Sequence, residues 1–419
     1  MTSDGRRVVI TGCGLITAIA NDVASNWEAL LAGKSGGATI TLFDPSDQPV
    51  RFAAEVKDFD PAQYLDRKEV KRTDRFTHFA LVATAQAWEA AGLGGDAANV
   101  APERLGVITG SGIGGIATLE QQHRVYLERG PERVSPFFVP MFIADMAPGL
   151  ISMKYGAKGP NYTTVSACAS SAHAIGNAFK LIQRGAADMI IAGGSESAVT
   201  PLTMAGFASM KAISSRNDAP ELASRPFDAN RDGFVLGEGC GMVVLEELET
   251  AKARGAPIMA ELLGYGITAD AHHITAPAPE GEGAQRAMRL ALEDAGAQPS
   301  DVDYINTHGT STPLNDLSET QAIKAVFGSH AYELVAGSTK SMTGHTLGAA
   351  GGVETVITAL VLREGKIPPT INFSDADPEC DLNYAHNQVV ERPVRLALTN
   401  SFGFGGHNVC LAVKRWEGQ

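Results

Sequence analysis

Cysteine is scarce in this chain: five residues in 419, at positions 13, 168, 240, 380 and 410, with no C-x-x-C spacing. An odd, scattered set argues against a disulfide framework and a zinc knuckle, and suits a reducing, cytoplasmic setting. Charge is also sparse, 19% against 44% hydrophobic, which is ordinary for a soluble globular protein. Positive charge is in the minority, 34 Lys+Arg against 47 Asp+Glu, and the net −13 disfavours a general nucleic-acid binder while leaving room for a local basic patch. Long hydrophobic runs are missing, so no membrane span is expected. Arg6-Arg7 followed by Val8 to Ala20 imitates a secretory leader, but Thr11, Gly12, Gly14 and Thr17 interrupt it; a strand with a glycine turn is expected there.

Complete cofactor motifs are absent too. Gly110-Ser111-Gly112-Ile113-Gly114-Gly115 has the G-x-G-x-x-G spacing after a strand but no acidic residue closing a second strand ~20 positions on, so a close-packed turn is the better reading. Gly33-Lys34-Ser35 resembles a P-loop end, yet Glu28 stands where the first glycine belongs. His272-His273 has no ligand partners at metal spacing. No organic cofactor and no metal are therefore expected.

What is present is an alternation of short apolar strands and helical patterns. Val8–Ile10, Leu105–Ile108, Met189–Ala192, Gly241–Leu245, Tyr304–Asn306, Leu334–Ala336 and Val409–Val413 read as strands. Segments 76–91, 284–296 and 352–363 carry helical spacing with alanine-rich faces. This is an α/β chain, long enough for two domains or one large layered one. The strand–turn–helix unit around Cys168 has a counterpart at Gly337–His345 running into Gly348–Leu362, so a duplicated α/β unit is expected. The boundary falls in the acidic-to-Gly/Pro stretch from Glu246 to Pro257, dividing the chain into 1–255 and 256–419.

Chemistry concentrates in four segments. Cys168 lies in Thr164–His173, between a strand ending near Val165 and a buried helix over 169–183. A cysteine at a helix N-terminus meets unpaired N–H groups and the positive end of the dipole, which favour the nucleophilic thiolate. His308 sits in Asn306–Pro313, after a strand and among hydroxyls; Lys340 and His345 share one small-residue turn; Asn400–Asn408 is a glycine loop carrying Phe402 and Phe404. Each segment alone has a plain structural reading as a capped turn, a solvated lysine or a packed loop. Together they form one chemical set.

These four segments resemble those of the β-ketoacyl-acyl-carrier-protein synthases, and the likeness runs nearly end to end, from Val8–Gly12 to Asn408. Ile113 in Gly-Ser-Gly-Ile-Gly-Gly matches the synthase II branch of that family. The resemblance implies a thiolase-like duplicated α/β sandwich, layered α-β-α-β-α, as a homodimer. It implies that Cys168 takes an acyl chain as a thioester and that malonyl on an acyl carrier protein then loses carbon dioxide. His308 and His345 would stabilise the enolate oxygen, and Lys340 would orient and polarise the site with Glu319 as its ionic partner. The backbone N–H groups of Cys168 and Phe404 would form the oxyanion hole. Phe404 would act as a gate, with Asp270 on the loop moving with it; Phe402, Ile113 and Phe207 would wall the acyl pocket. Glu354 matches a family acid of structure or ion binding, and Thr310 and Thr312 are supporting hydroxyls. Carrier proteins are acidic, so docking is expected on Arg67, Lys68, Lys71, Arg72 and Arg75, with Arg133 and Lys211 beside them. Two other readings are a specialised polyketide or modified-lipid ketosynthase and a non-catalytic chain-length partner subunit. The intact Cys168–His308–His345 set opposes the latter.

Overall fold

Most strands are rich in apolar and small residues because both faces of the sheet are covered over most of its width. The computed structural model describes residues 5–94 and 100–418. Ten strands build the main sheet: β1 Val8–Thr17, β2 Leu105–Gly110, β3 Asn161–Thr164, β4 Met189–Glu196, β5 Gly239–Glu247, β6 Ala260–Ala269, β7 Tyr304–Asn306, β8 Val335–Gly337, β9 Leu396–Gly403 and β10 His407–Arg415. Their order is β8-β7-β9-β10-β6-β1-β5-β4-β2-β3.

That order is one five-strand pattern used twice. In the first half β1 pairs antiparallel with β5, β5 antiparallel with β4, and β4, β2 and β3 run parallel. In the second half β6, β10, β9, β7 and β8 repeat the same sequence of senses. Three residue pairs, from Val8–Leu262 to Ile10–Ala260, join β1 to β6 at the pseudo-symmetric centre.

Four helices set the layers: α1 Arg75–Ala90, α2 Ser170–Gln183, α3 Glu282–Ala295 and α4 Ala350–Glu364. Strand residues alternate between cores, as a period of two requires. Ile190, Ala192, Val243 and Leu245 face the central core with α2 and α4, whereas Met189, Ile191, Met242 and Val244 face outward with α1. Val409, Leu411 and Val413 likewise face the centre, and Cys410 and Ala412 face α3. The expected α-β-α-β-α sandwich is what forms.

One expectation is corrected. Gly12 and Gly14 do not make a turn after a short strand. β1 continues to Thr17 through a bulge between Ile10 and Gly12. The glycines let α1 lie on the strand: a Cβ at Gly12 would sit 2.0 Å from the Ala87 carbonyl oxygen, and one at Gly14 1.8 Å from that of Ala83. The second half repeats the device, with Gly264 and Gly266 against Ala291 and Ala287 of α3 at 2.1 and 1.9 Å.

Candidate active site

The turn between β3 and α2 aims the cysteine. Ala167 adopts φ +50°, a left-handed conformation that costs a non-glycine residue of order 1 kcal/mol. It is held by Ser170, whose Oγ accepts from the Ser166 N–H at 2.9 Å and donates to the Ala167 carbonyl at 2.7 Å. Cys168 therefore stands just before Ala169, the N-cap of the helix, 7% exposed.

Both histidines come from the second half. His345 is fixed through its backbone, its N–H donating to the Val235 carbonyl at 2.7 Å and its carbonyl accepting from the Gly237 N–H at 2.9 Å. Its Nε2 lies 3.0 Å from Cys168 Sγ. The His308 and His345 rings meet edge to face, centroids 5.3 Å apart, and ligand atoms of Cys168, His308 and His345 all lie within 4.8 Å of one another. Phe402 packs on His308 at 5.7 Å.

The ion pair behind this trio differs from expectation. Lys340 Nζ pairs with Glu354, both 2% exposed, whereas Glu319 supports the backbone of the His308 turn. Glu319 accepts from the N–H groups of His308 and Gly309 at 2.9 and 2.8 Å and from Asn400 Nδ2 at 3.1 Å. The ionic partner of Lys340 is thus Glu354, the fifth residue of α4. The Glu319 carboxylate is already committed to N–H donors.

Burial governs the electrostatics. It drives both imidazoles well below their usual range, helped by the Lys340 charge, so both are neutral at pH 7. Burial also pushes the Cys168 thiol up to about 12, against the pull of Lys340 and of the Phe404 and Cys168 N–H groups directed at the sulfur. The helix N-terminus is present as expected, but in this dry pocket it does not leave a free thiolate; desolvation outweighs it. Glu319 and Glu354 are raised by burial to about 7.

The trio opens into a cavity of about 540 Å³. Ile113 and Phe207 line it, as do Thr310 and Thr312, whose hydroxyls lie 3.0 Å apart, together with Phe402, Phe404, Asp270 and Lys211. Asp270 ties two loops at the cavity mouth together: it accepts from Asn408 Nδ2 at 2.6 Å and from the Ala278 N–H at 3.2 Å. The Gly405 N–H donates to the Ile274 carbonyl at 2.8 Å. Lys68, Lys71 and Arg72 are exposed on the helix Arg67–Arg72 and Arg133 on a nearby turn; none of them lines the cavity. The Arg72 guanidinium lies 4.7 Å over the Phe137 ring, which joins those two surfaces. Arg75 leaves the expected basic row because its guanidinium turns inward to Glu238 and the Val56 carbonyl.

Sequence reasoning missed Glu196, Asn400 and Asn408. Glu196 carries the only clear signal, an acid at the end of an apolar strand, and it explains the glycine-rich turn. Its carboxylate accepts from the N–H groups of Gly112, Ile113 and Gly114, the donors a bound phosphate would need.

Comparison with known proteins agrees with this geometry. The family described as Beta-ketoacyl synthase, N-terminal domain, matches residues 5–251, and Beta-ketoacyl synthase, C-terminal domain, matches 259–374. The chain is 55% identical over 412 residues to 3-oxoacyl-(acyl-carrier-protein) synthase 2 of Synechocystis sp., covering 98% of this chain and 99% of that one. It is 52% identical over 410 residues to the protein of that name from Coxiella burnetii, again covering 98% and 99%. Among solved structures, a β-ketoacyl synthase from Burkholderia phymatum superposes with a TM-score of 0.91 at 36% identity, covering 98% of this chain and 100% of that one. A type II PKS acyl-carrier protein in complex with its ketosynthase bound to the hexaketide gives 0.91 at 34%, covering 99% and 100%. With a duplicated thiolase-like sandwich, a cysteine and two histidines at its centre, and likeness along its whole length, this chain belongs to the β-ketoacyl synthase family.

Proposed function

We propose that the protein is an elongating 3-oxoacyl-acyl-carrier-protein synthase of type II fatty-acid synthesis, working through Cys168, His308, His345 and Lys340. The observation that carries this reading is the 3.0 Å approach of His345 Nε2 to Cys168 Sγ, with His308 completing the trio. In the first step Sγ bonds to the acyl carbonyl carbon while the carrier thioester C–S bond breaks. His345, neutral and in contact, takes the thiol proton and returns it to the departing thiol. The N–H groups of Cys168 and Phe404 receive the oxyanion. In the second step malonyl loses carbon dioxide, and the C–C electron pair becomes an enolate. Neutral His308, and neutral His345 once its ring proton has shifted to Nε2, donate to its oxygen, each donor contributing on the order of 3 kcal/mol. The enolate carbon then bonds to the acyl carbonyl and the C–S bond to Cys168 breaks, the sulfur leaving as a thiolate that takes up one proton from solvent, giving a 3-oxoacyl chain two carbons longer. No organic cofactor enters these steps.

The remaining assignments follow from the same reading. Residues 1–255 and 256–419 are the two halves, the first carrying the nucleophile and the second the histidines. Acyl carrier protein is the partner, docking on Lys68, Lys71, Arg72, Arg133 and Lys211. Phe404 gates entry with the Asp270 loop, and Ile113, Phe207 and Phe402 shape the pocket. The protein works as a homodimer in the cytoplasm; the edge strand β3, with Tyr162 38% exposed and Val165 just beyond its end 64% exposed, supports pairing with a second copy. Among the described residues no helix is long and apolar enough to cross a membrane.

Intact-protein mass spectrometry with acyl-carrier proteins tests the reading. One acyl group should appear on Cys168 and be discharged by malonyl-carrier protein. Lys68→Glu/Lys71→Glu should slow loading at low salt while leaving the final stoichiometry unchanged. No acylation of a folded dimer by any chain would overturn the assignment, and light scattering that finds only monomer would overturn the oligomeric state.

A further inference from the structure

Glu196, the last residue of β4, is a fully buried carboxylate whose hydrogen-bond partners among the described residues include no cation. Five donors meet it instead. Oε1 accepts from Ser111 Oγ at 3.0 Å and from the N–H groups of Ile113 and Gly114 at 3.2 and 3.4 Å. Oε2 accepts from the N–H groups of Gly112 and Gly348 at 2.6 and 3.0 Å. Only the ionised form can accept from all five, since a protonated acid would turn one oxygen's hydrogen toward donors.

These donors belong to two separate loops. Ser111–Gly114 follows β2 in the first half, and Gly348 follows the His345 turn in the second. The fit requires bare backbone: a Cβ on Gly348 would sit 2.6 Å from Oε2 and 2.1 Å from the Gly112 nitrogen. Each loop presents an apolar side chain to the cavity beside Cys168, Ile113 from one and Leu347 from the other. Leu347 does so at φ +47°, a strained conformation that needs an external hold.

We propose that Glu196 is a positioning residue for acyl selection: its carboxylate locks the Ile113 turn of one half to the Leu347 turn of the other and so sets the wall that the acyl chain meets. The inference rests on the condensation reading above. It assigns Glu196 no contact with substrate. Glu196 acts on the thiol through space as well, its negative charge opposing that of Lys340, while His345 and the Phe404 and Cys168 N–H groups face the sulfur directly.

Loading of Cys168 from a series of short to long acyl-carrier proteins, with kcat and KM separated, tests it on the wild type, Glu196→Gln and Glu196→Asp. In Glu196→Gln an amide nitrogen faces N–H donors, and the ratio of kcat/KM between the best and worst chains should fall by about tenfold. Glu196→Asp keeps the charge but is one methylene short of spanning both loops, so it should lose chain discrimination as well. The pH profile of Cys168 alkylation by iodoacetamide separates the two variants. It should move to lower pH in Glu196→Gln and stay in place in Glu196→Asp. Ser111→Ala, which removes one donor, should shift chain preference in the same direction by less, and it covers a failure of Glu196→Gln to fold. Equal loss of kcat/KM at every chain length in folded variants, with an unmoved alkylation profile, would overturn the proposal. A wild type that no acyl chain loads would instead overturn the condensation reading, and the alkylation profile would still report on Glu196.

Discussion

At the scale of single residues, charge in a dry place is the governing quantity. Lys340 and Glu354 neutralise each other at 2% exposure, and removing one partner strands the other. Lys340→Met should therefore destabilise the protein by about 3 kcal/mol at pH 8. The loss should shrink toward pH 6, because the Glu354 carboxyl, already raised to about 7, then takes up a proton and becomes neutral. Lys340→Met/Glu354→Gln should recover most of the stability yet remain slow in malonyl decarboxylation, since the cation beside both histidines is gone. Urea unfolding at the two pH values, with decarboxylation measured alongside, checks both halves of this expectation; a pH-independent loss would refute it.

At the scale of elements, the contact between the first strand and first helix of each half depends on missing side chains. Gly14 in β1 and Gly266 in β6 bring helix backbone within 2 Å of where a Cβ would lie. Gly14→Val or Gly266→Val should force strand and helix apart at a cost of about 3 kcal/mol or more. A methyl group at Gly206, in the exposed part of the helix Pro201–Ser209, meets nothing within 4 Å, and Gly206→Ala should gain about 0.5–1 kcal/mol. Thermal melting of the three variants distinguishes them by sign. Equal behaviour at positions 14 and 206 would mean that the close approach does not limit packing.

At the scale of the whole molecule, the site titrates with the fold. His308 and His345 are held well below 6.5 in the folded protein and return to about 6.5 when it unfolds. A depressed folded value means that the unfolded chain binds more protons at low pH. The stability these two groups contribute is present above pH ~6.5 and is lost as pH falls below it, at about 1.4 kcal/mol per pH unit for each group. Glu319 and Glu354, raised to about 7, act with the opposite sign: their contribution is full below the ordinary carboxylate range and is lost as pH rises through 7. The two effects oppose each other between pH 5 and 7, so the wild type alone is a poor reporter. The stability difference between wild type and His308→Asn/His345→Asn isolates the histidines. It should move against the wild type as pH drops from 7 to 5.5, and a constant difference would contradict neutral buried imidazoles.

The class of fold and the set of reactive side chains were legible along the chain. Cys168, His308, Lys340 and His345 stood out because each lies where an apolar strand gives way to small residues, and strand and helix periods are local properties of the chain. The repeat at Gly337–His345 was legible for the same reason, and the structure carries it through all ten strands. Which charges meet depends on how distant segments pack. The resemblance pointed to Glu319 as the partner of Lys340, but the ion pair goes to Glu354 because α4 packs behind the turn that carries Lys340. Arg75 left the basic surface because Glu238, 163 residues away in sequence, lies beneath it. The Cys168 thiol rises rather than falls because desolvation is a property of the closed core, which the local helix N-terminus does not reveal. Glu196 showed along the chain only as an acid ending an apolar strand: its five donors come from loops 82–85 residues before it and 152 residues after it, and folding alone brings them to one carboxylate.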